Sequence, residues 1–141
     1  MRRVLLVSAA LIVGYTVTAR AQNAMGTIKL ADVAGTWDSK TIVGPTDSVA
    51  VRSVITATAD GKGWTLKLPK GDRVPLRIVT VGGDSIVTEA GPFPSALRPG
   101  QTVTLLHSIA HYKGDKSTGT FEAHYSSGDV VRGKTEATRR K

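Results

Sequence analysis

The sequence contains no cysteine in its 141 residues. Disulfide bonds, thiolate metal sites and a cysteine nucleophile are therefore excluded. Aromatic residues are scarce too, at 5% of the chain, with two tryptophans, three tyrosines and two phenylalanines. A small domain that has no disulfides must draw its stability from one continuous hydrophobic core, so we expect a closed, well-packed structure.

Acidic residues are few: 11 aspartates and glutamates stand against 19 lysines and arginines, for a formal net charge of +8. Three of the arginines, Arg2, Arg3 and Arg20, fall within the first 21 residues, so the remaining 120 residues carry only +5. This excess is dispersed, apart from the stretch 138–141, and few aromatic side chains are present to stack on bases. The pattern argues against a nucleic-acid partner.

The first 21 residues have the organisation of a secretory signal peptide. Arg2 and Arg3 precede an apolar run over residues 4–13, and Ala19 and Ala21 form a small-residue cleavage pattern before Gln22. The apolar run is too short to span a bilayer. We predict cleavage before Gln22 and export to the periplasm or the extracellular space, with a monomeric mature chain that has no transmembrane segment.

The rest of the chain is predicted to be all-β. After a lead over residues 22–34 with a short helical turn, a single domain over residues 35–141 shows short β-rich runs divided by Gly, Pro and Asp. The eight runs are 36–43, 50–59, 63–68, 74–81, 85–89, 102–112, 119–125 and 130–139. Short connections predict that sequential strands pair in order, and closure removes exposed edges. We predict an eight-stranded antiparallel up-and-down meander barrel, with a β-sandwich as the alternative.

The last two strands allow their register to be predicted. Phe121, Ala123 and Tyr125 form the apolar face of one strand, and small or apolar residues alternate with charged ones in the other. A three-residue loop over 126–128, with Gly128 at positive φ, aligns the two apolar faces, whereas a two-residue loop would place Ala123 opposite a charged side chain.

The sequence Ala-Gly-Thr-Trp at residues 34–37 resembles the G-x-W motif of lipocalins and the wider calycin group. The resemblance implies that Trp37 packs at the closed base of a barrel and that an arginine late in the final strand lies across it. Arg139 has the inward parity of its strand and lies where that strand returns to the first one. We predict a structural lock of Gly35, Trp37 and Arg139, with a cation–π contact between the last two.

A barrel of eight strands has an interior wide enough for side chains or one small ligand. We therefore expect an exported protein of lipocalin-like shape that binds or carries a small apolar or amphipathic molecule. The alternative is a structural or protein-interacting envelope barrel with a filled core. An open interior of roughly 300 Å³ or more would favour the carrier. The candidate ligand contacts are Trp64, Leu76, Ile78, His107, His111, Phe121 and Tyr125, with Phe93 and Arg98 at the rim.

The three histidines are candidates for metal binding or catalysis. His107 and His111 are four residues apart and are predicted to share the inner face with Val103, while His124 points the other way. The three do not converge, so we predict no metal site and no cofactor. The chain has no G-x-S-x-G elbow and no phosphate loop, so we predict no catalytic residue and no enzyme; convergence of Glu89, His107 and His111 would indicate otherwise.

The longest connection, residues 89–100, lies at the mouth opposite Trp37. It contains three prolines, and Phe93 and Leu97 give it apolar character. Long ordered loops on a rigid scaffold are frequent functional sites. Two interpretations stay open: a lid over a ligand site, or a packed plug in which Glu89 pairs with Arg98 or Arg77.

Overall fold

The structure is a computed structural model that describes residues 27–45 and 48–141. The predicted signal peptide lies outside the described residues. A 3₁₀ turn over Leu30–Val33 precedes the sheet. The described strands are β1 (Gly35–Ile42), β2 (Val49–Ala57), β3 (Thr65–Lys67), β4 (Val74–Pro75), β5 (Arg77–Gly82), β6 (Ser85–Ala90), β7 (Phe93–Pro94), β8 (Thr102–Lys113), β9 (Lys116–Tyr125) and β10 (Val130–Arg139).

These strands form one antiparallel sheet in the order β4-β3-β2-β1-β10-β9-β8-β6-β5, with β7 added on β8. Only Leu76 separates β4 from β5, and its amide donates to the Trp64 carbonyl 2.9 Å away. One bent strand thus pairs with β3 through its first part and with β6 through its second, which nearly closes the barrel. The predicted eight-stranded meander is confirmed, and the single continuous sheet leaves no place for the sandwich alternative.

The barrel has two ends, which we call the floor and the mouth. The floor contains a buried cluster packed around Trp37, while the mouth half contains a second cluster packed around Phe121. The floor cluster is Val33, Trp37, Ala57, Trp64 and Ile86; the mouth cluster is Leu66, Val74, Ala90, Phe93, Val103, Phe121, Ala123 and Tyr125. Strand direction places the connections after β1, β3, β7 and β9 at the mouth, as the sequence predicts.

The hairpin between β9 and β10 has the predicted register. The Tyr125 amide donates to the Asp129 carbonyl at 2.9 Å, which leaves three residues in the loop, and Gly128 has a φ of 94°. Phe121 lies opposite Gly133, so the two inner faces coincide. Hydrophobic alternation was sufficient here because no irregularity interrupts either strand.

Strand β8 differs from its prediction. A bulge between Val103 and Leu105 shifts its pairing with β9, and the inward parity changes from odd to even residues beyond it. Leu106 and Ser108 therefore line the interior, while His107 lies on the outer face. The prediction that His107 and His111 share the inner face with Val103 is wrong, because one extra residue in a strand reverses the face of all that follow.

Candidate functional site: the barrel interior

The floor is locked by Arg139. Its guanidinium lies 5.1 Å from the centre of the Trp37 ring. It also donates to the carbonyls of Asp32 and Ala34 at 2.8 and 3.2 Å, and to the Asp115 carboxylate at 2.8 Å. Arg139 thus joins the lead, the first strand and the β8–β9 turn, which confirms the predicted contact with Trp37.

Gly35 completes the lock. Its φ of 134° is one that side chains disfavour, and a Cβ there would lie 3.2 Å from Cδ of Arg139. The small residue therefore lets the chain turn into β1 beneath the arginine. Trp37, only 2% exposed, donates through Nε1 to the Val33 carbonyl at 2.8 Å. The indole is fixed in position by its polar edge as well as by its packing.

Tyr112 forms the other side of the floor. Its ring meets that of Trp37 edge to face, with centroids 5.2 Å apart. Burial raises the pKa of Tyr112 to about 12, although the hydrogen bond with Ser117 acts in the opposite direction. The phenol is therefore neutral at physiological pH, and the floor presents aromatic surface without charge to the interior.

A cavity of about 120 Å³ lies above this floor, inside the barrel. Most strands contribute to its lining, from Trp37 and Trp64 below to Phe121 and Tyr125 nearer the mouth. Gly133 makes room for the Phe121 ring, since a Cβ at this position would meet that ring and the Ile42 carbonyl. Aromatic rings such as that of Phe121, together with small residues beside them such as Gly133, thus determine the shape of the interior.

Hydroxyl groups interrupt this apolar lining. Ser39 and Ser53 line the cavity and are 5% and 9% exposed. Within the described residues, neither side chain has a hydrogen-bond partner. The interior therefore offers polar groups that a bound molecule can satisfy.

A plug formed by residues 91–101 covers the cavity at the mouth. Phe93 and Ser95 are buried, and the Ser95 hydroxyl lies 2.8 Å from the Tyr125 hydroxyl while accepting the Arg98 amide at 3.0 Å. The Arg98 guanidinium lies 4.9 Å from the Tyr125 ring centre and 3.0 Å from Asp129. The plug covers the mouth in the described conformation, and it is held by the pairing of β7 with β8 together with these side-chain contacts.

A wider groove of about 690 Å³ lies outside the plug. Four residues line both the groove and the inner cavity: Val51, Leu68, Ser95 and Ala96. The groove and the cavity are therefore adjacent, and these four residues separate them.

The structure places the sequence-predicted contacts in three groups. Trp64, Leu76, Phe121, Tyr125 and Phe93 line the cavity. Ile78 packs behind the floor cluster, and Arg98 lies at the mouth as expected. His107 and His111 lie outside. The sequence interpretation missed Ser39 and Ser53 as contacts, although the parity of β1 placed Ser39 on the inner face with Trp37.

The outer face of the barrel carries a row of charged residues at the level of His107. Cross-strand neighbours place Arg77, Glu89, His107, Glu122 and Arg132 side by side on five strands. The His107 Nδ1 lies 3.7 Å from Glu89 and the Arg132 Nε lies 3.4 Å from Glu122. Glu89 thus pairs with His107; the expectation of an ion pair between Glu89 and Arg98 or Arg77 is wrong, because Arg98 turns to Asp129 instead.

The other two histidines also pair with carboxylates outside. His111 lies 2.9 Å from Asp84, and His124 lies 2.9 Å from Glu122. Burial acts to raise the pKa of Glu122, but Arg132 and His124 together outweigh it, so the pKa lies below its ordinary value. Glu89, His107 and His111 do not converge on one point, and within the described residues no three His, Asp or Glu side chains form a metal-binding group.

The chain matches no protein-family model, no curated protein and no solved structure. The lipocalin-like relationship therefore stays a prediction that rests on the residues themselves. In residues 27–45 and 48–141, no helix is long and apolar enough to cross a membrane.

Proposed function

We propose that this protein is an exported small-molecule binding or carrier protein whose ligand occupies the barrel interior. The observation that carries the proposal is the cavity of about 120 Å³ that lies between an aromatic floor and the plug. The wall also carries the hydroxyls of Ser39 and Ser53, which provide polar groups beside the apolar surface of the cavity.

The size of the cavity limits the range of ligands that can fit. The interior volume of about 120 Å³ is below the roughly 300 Å³ that would favour a carrier on the criterion set from the sequence. An apolar protein cavity of about 150 Å³ binds benzene. The closed barrel therefore suits a compact molecule about as large as one six-membered ring, and a long acyl chain would require displacement of the plug.

The small volume also favours a second function, namely a structural or protein-interacting envelope barrel in which the cavity is only a residual void. In that case Ser95 and Tyr125 hold a permanent seal. The two functions differ in one measurable property, because an interior that stays sealed takes up no ring-sized molecule.

Intrinsic fluorescence tests the proposal, because Trp37 and Trp64 are the only tryptophans and both line the cavity. We expect titration with cyclohexanol, which does not absorb, to change their emission saturably. Ala110→Leu fills the cavity from β8 and should abolish the change. His111→Leu, the neighbouring outer-face substitution on the same strand, should leave it intact.

Two results would contradict the proposal. One is an emission that does not respond to cyclohexanol or to other ring-sized neutral molecules. The other is a response that Ala110→Leu leaves unaltered, since the probe would then bind elsewhere.

The export part of the proposal rests on the first 21 residues and is tested separately. Expressed with its full sequence in a bacterial host, the protein should accumulate outside the cytoplasm with Gln22 as its first residue. The intact mass of the purified chain measures this directly. A chain that keeps Met1 and stays in the cytoplasm would refute export.

A further inference from the structure

The cavity wall contains a pair of hydroxyls on neighbouring strands. Ser39 on β1 and Ser53 on β2 lie directly opposite each other in the ladder, and both are at least nine-tenths buried. Because inner-face neighbours in a sheet stand side by side, the two hydroxyls present a single polar patch. Neither has a partner within the described residues, so the patch is free to bind one polar group.

A second hydroxyl pair lies on another wall of the same cavity. Thr88 on β6 and Ser108 on β8 are also direct neighbours in the ladder, and both line the cavity. Neither side chain has a hydrogen-bond partner within the described part of the chain.

The strand order shows that the two pairs face each other. With β4 and β5 counted as one bent strand, the path β2-β1-β10-β9-β8 takes four steps, as does the path β1-β10-β9-β8-β6. Four steps are half of an eight-stranded circuit. The serine pair and the Thr88–Ser108 pair therefore lie on opposite walls.

The interior between the two pairs excludes charge. Among the described residues that line the cavity, none is Asp, Glu, Lys, Arg or His. An ion moved into such an uncharged, largely apolar space loses its hydration without gaining a counter-charge, which is strongly unfavourable. A ligand must therefore be neutral in its bound form.

These observations extend the proposed function and rest on it. We infer that the cavity binds a neutral single-ring molecule with hydrogen-bonding groups at two opposite ends. One end bonds to Ser39 and Ser53, and the other to Thr88 and Ser108. The ring lies on the aromatic floor formed by Trp37 and Trp64.

Calorimetry with four probes that each contain a single benzene ring tests the inference. The probes are benzene, phenol, anaerobic hydroquinone and benzoate. Each satisfied hydroxyl patch is expected to contribute about five- to tenfold in affinity. Affinity should therefore rise from benzene to phenol to hydroquinone, and benzoate should not bind. The order is measured on the unmodified protein and does not depend on the folding of any variant.

Two double variants test which hydroxyl pairs bond to the two ends of the ligand. Ser39→Ala with Ser53→Ala should weaken hydroquinone about tenfold while benzene binds as before, and Thr88→Val with Ser108→Ala should do the same. Thr120→Val, at an exposed position on β9, is the matched control and should change neither. Without ligand, the serine variant should be as stable as the parent or more so, because it removes unpartnered hydroxyls.

The outcomes separate the two proposals. Equal affinities for benzene and hydroquinone, or binding of benzoate, would overturn the two-ended neutral site while the interior carrier function stands. Failure of every neutral probe to bind would overturn both. A hydroquinone preference that survives both double variants would also overturn the inference, because the polar contacts would then lie elsewhere.

Discussion

The two ends of this barrel are closed by different kinds of contact. At the floor, Arg139 bonds to the backbone of residues more than a hundred positions away and covers the ring of Trp37. At the mouth, the plug is held by the short pairing of β7 with β8, by the hydroxyl contact between Ser95 and Tyr125 and by an exposed ion pair of Arg98 and Asp129.

This difference indicates which end of the molecule opens more readily. The Arg139 side chain joins the carbonyls of Asp32 and Ala34 to the Asp115 carboxylate, so the floor shares the stability of the whole domain. The plug pairs with the sheet through the two residues of β7 and is otherwise held by side-chain contacts. Local openings of that size cost less than global unfolding, so we expect a ligand to enter from the mouth.

The largest expected effect comes from removing the floor lock. Arg139→Ala should lower the free energy of unfolding by about 3 kcal/mol, because it removes charged hydrogen bonds and leaves two carbonyls and Asp115 without their donor. Arg140→Ala is the matched control: its ion pair with Asp38 is exposed on both sides, so the loss should be much smaller than that of Arg139→Ala. Urea denaturation measures both, and equal losses would refute the lock.

A smaller loss of stability is expected from a substitution in the barrel wall, between the floor and the mouth. Gly133→Ala should cost about 2 kcal/mol, because the new Cβ meets the Phe121 ring and the Ile42 carbonyl and overpacks the interior. Gly82→Ala places its Cβ where nothing lies within 4 Å, and should change stability by less than about 0.5 kcal/mol. Thermal unfolding of the pair checks this, and a neutral Gly133→Ala would show that the wall is loosely packed.

A substitution that loosens the plug should increase local opening at the mouth and leave the rest of the barrel unchanged. Tyr125→Phe removes the hydroxyl bound to Ser95 and should cost about 1 kcal/mol. Hydrogen exchange at the Ser95 and Gln101 amides, which form hydrogen bonds within the plug, should accelerate. Tyr112→Phe at the floor should leave plug exchange unchanged. Faster exchange across the whole barrel in Tyr125→Phe would mean that the plug is part of the global unit.

The smallest expected effect is on the stability of the protein at low pH. Arg140 holds the pKa of Asp38 below its usual range through a side-chain hydrogen bond and its charge. Because the folded pKa is the lower one, this stabilisation is present above the ordinary aspartate pKa and is lost as the pH falls below about 4. Arg140→Gln should therefore show a shallower loss of stability with acid than the parent in denaturation at several pH values. An unchanged acid slope would contradict the pairing.

The sequence was informative where local patterns were regular. Uninterrupted alternation predicted the β9–β10 register, and the parity of β10 placed Arg139 under Trp37. It failed at β8, where the apolar residues Leu105 and Ile109 favour the wrong face and only the bulge between Val103 and Leu105 reverses it. A bulge depends on cross-strand packing, which a single strand does not display.

The hydroxyls of the cavity escaped prediction for a related reason. Serines in strands are ordinary, and Ser39 and Ser53 become notable only when the ladder sets them side by side within an uncharged interior. Their lack of partners is a property of the assembled barrel. A pair of adjacent inward serines on consecutive strands is nevertheless a pattern that can be sought in other sequences.

We propose that a compact molecule occupies the interior between the floor and the plug. Amide chemical shifts measured by NMR during titration with cyclohexanol report on this occupancy residue by residue. We predict saturable shifts at Ser39, Ser53 and Ser108 and in the plug, with His107 and His111 unmoved. Shifts confined to the outer face or to the groove outside the plug, or no saturable shifts at all, would contradict it.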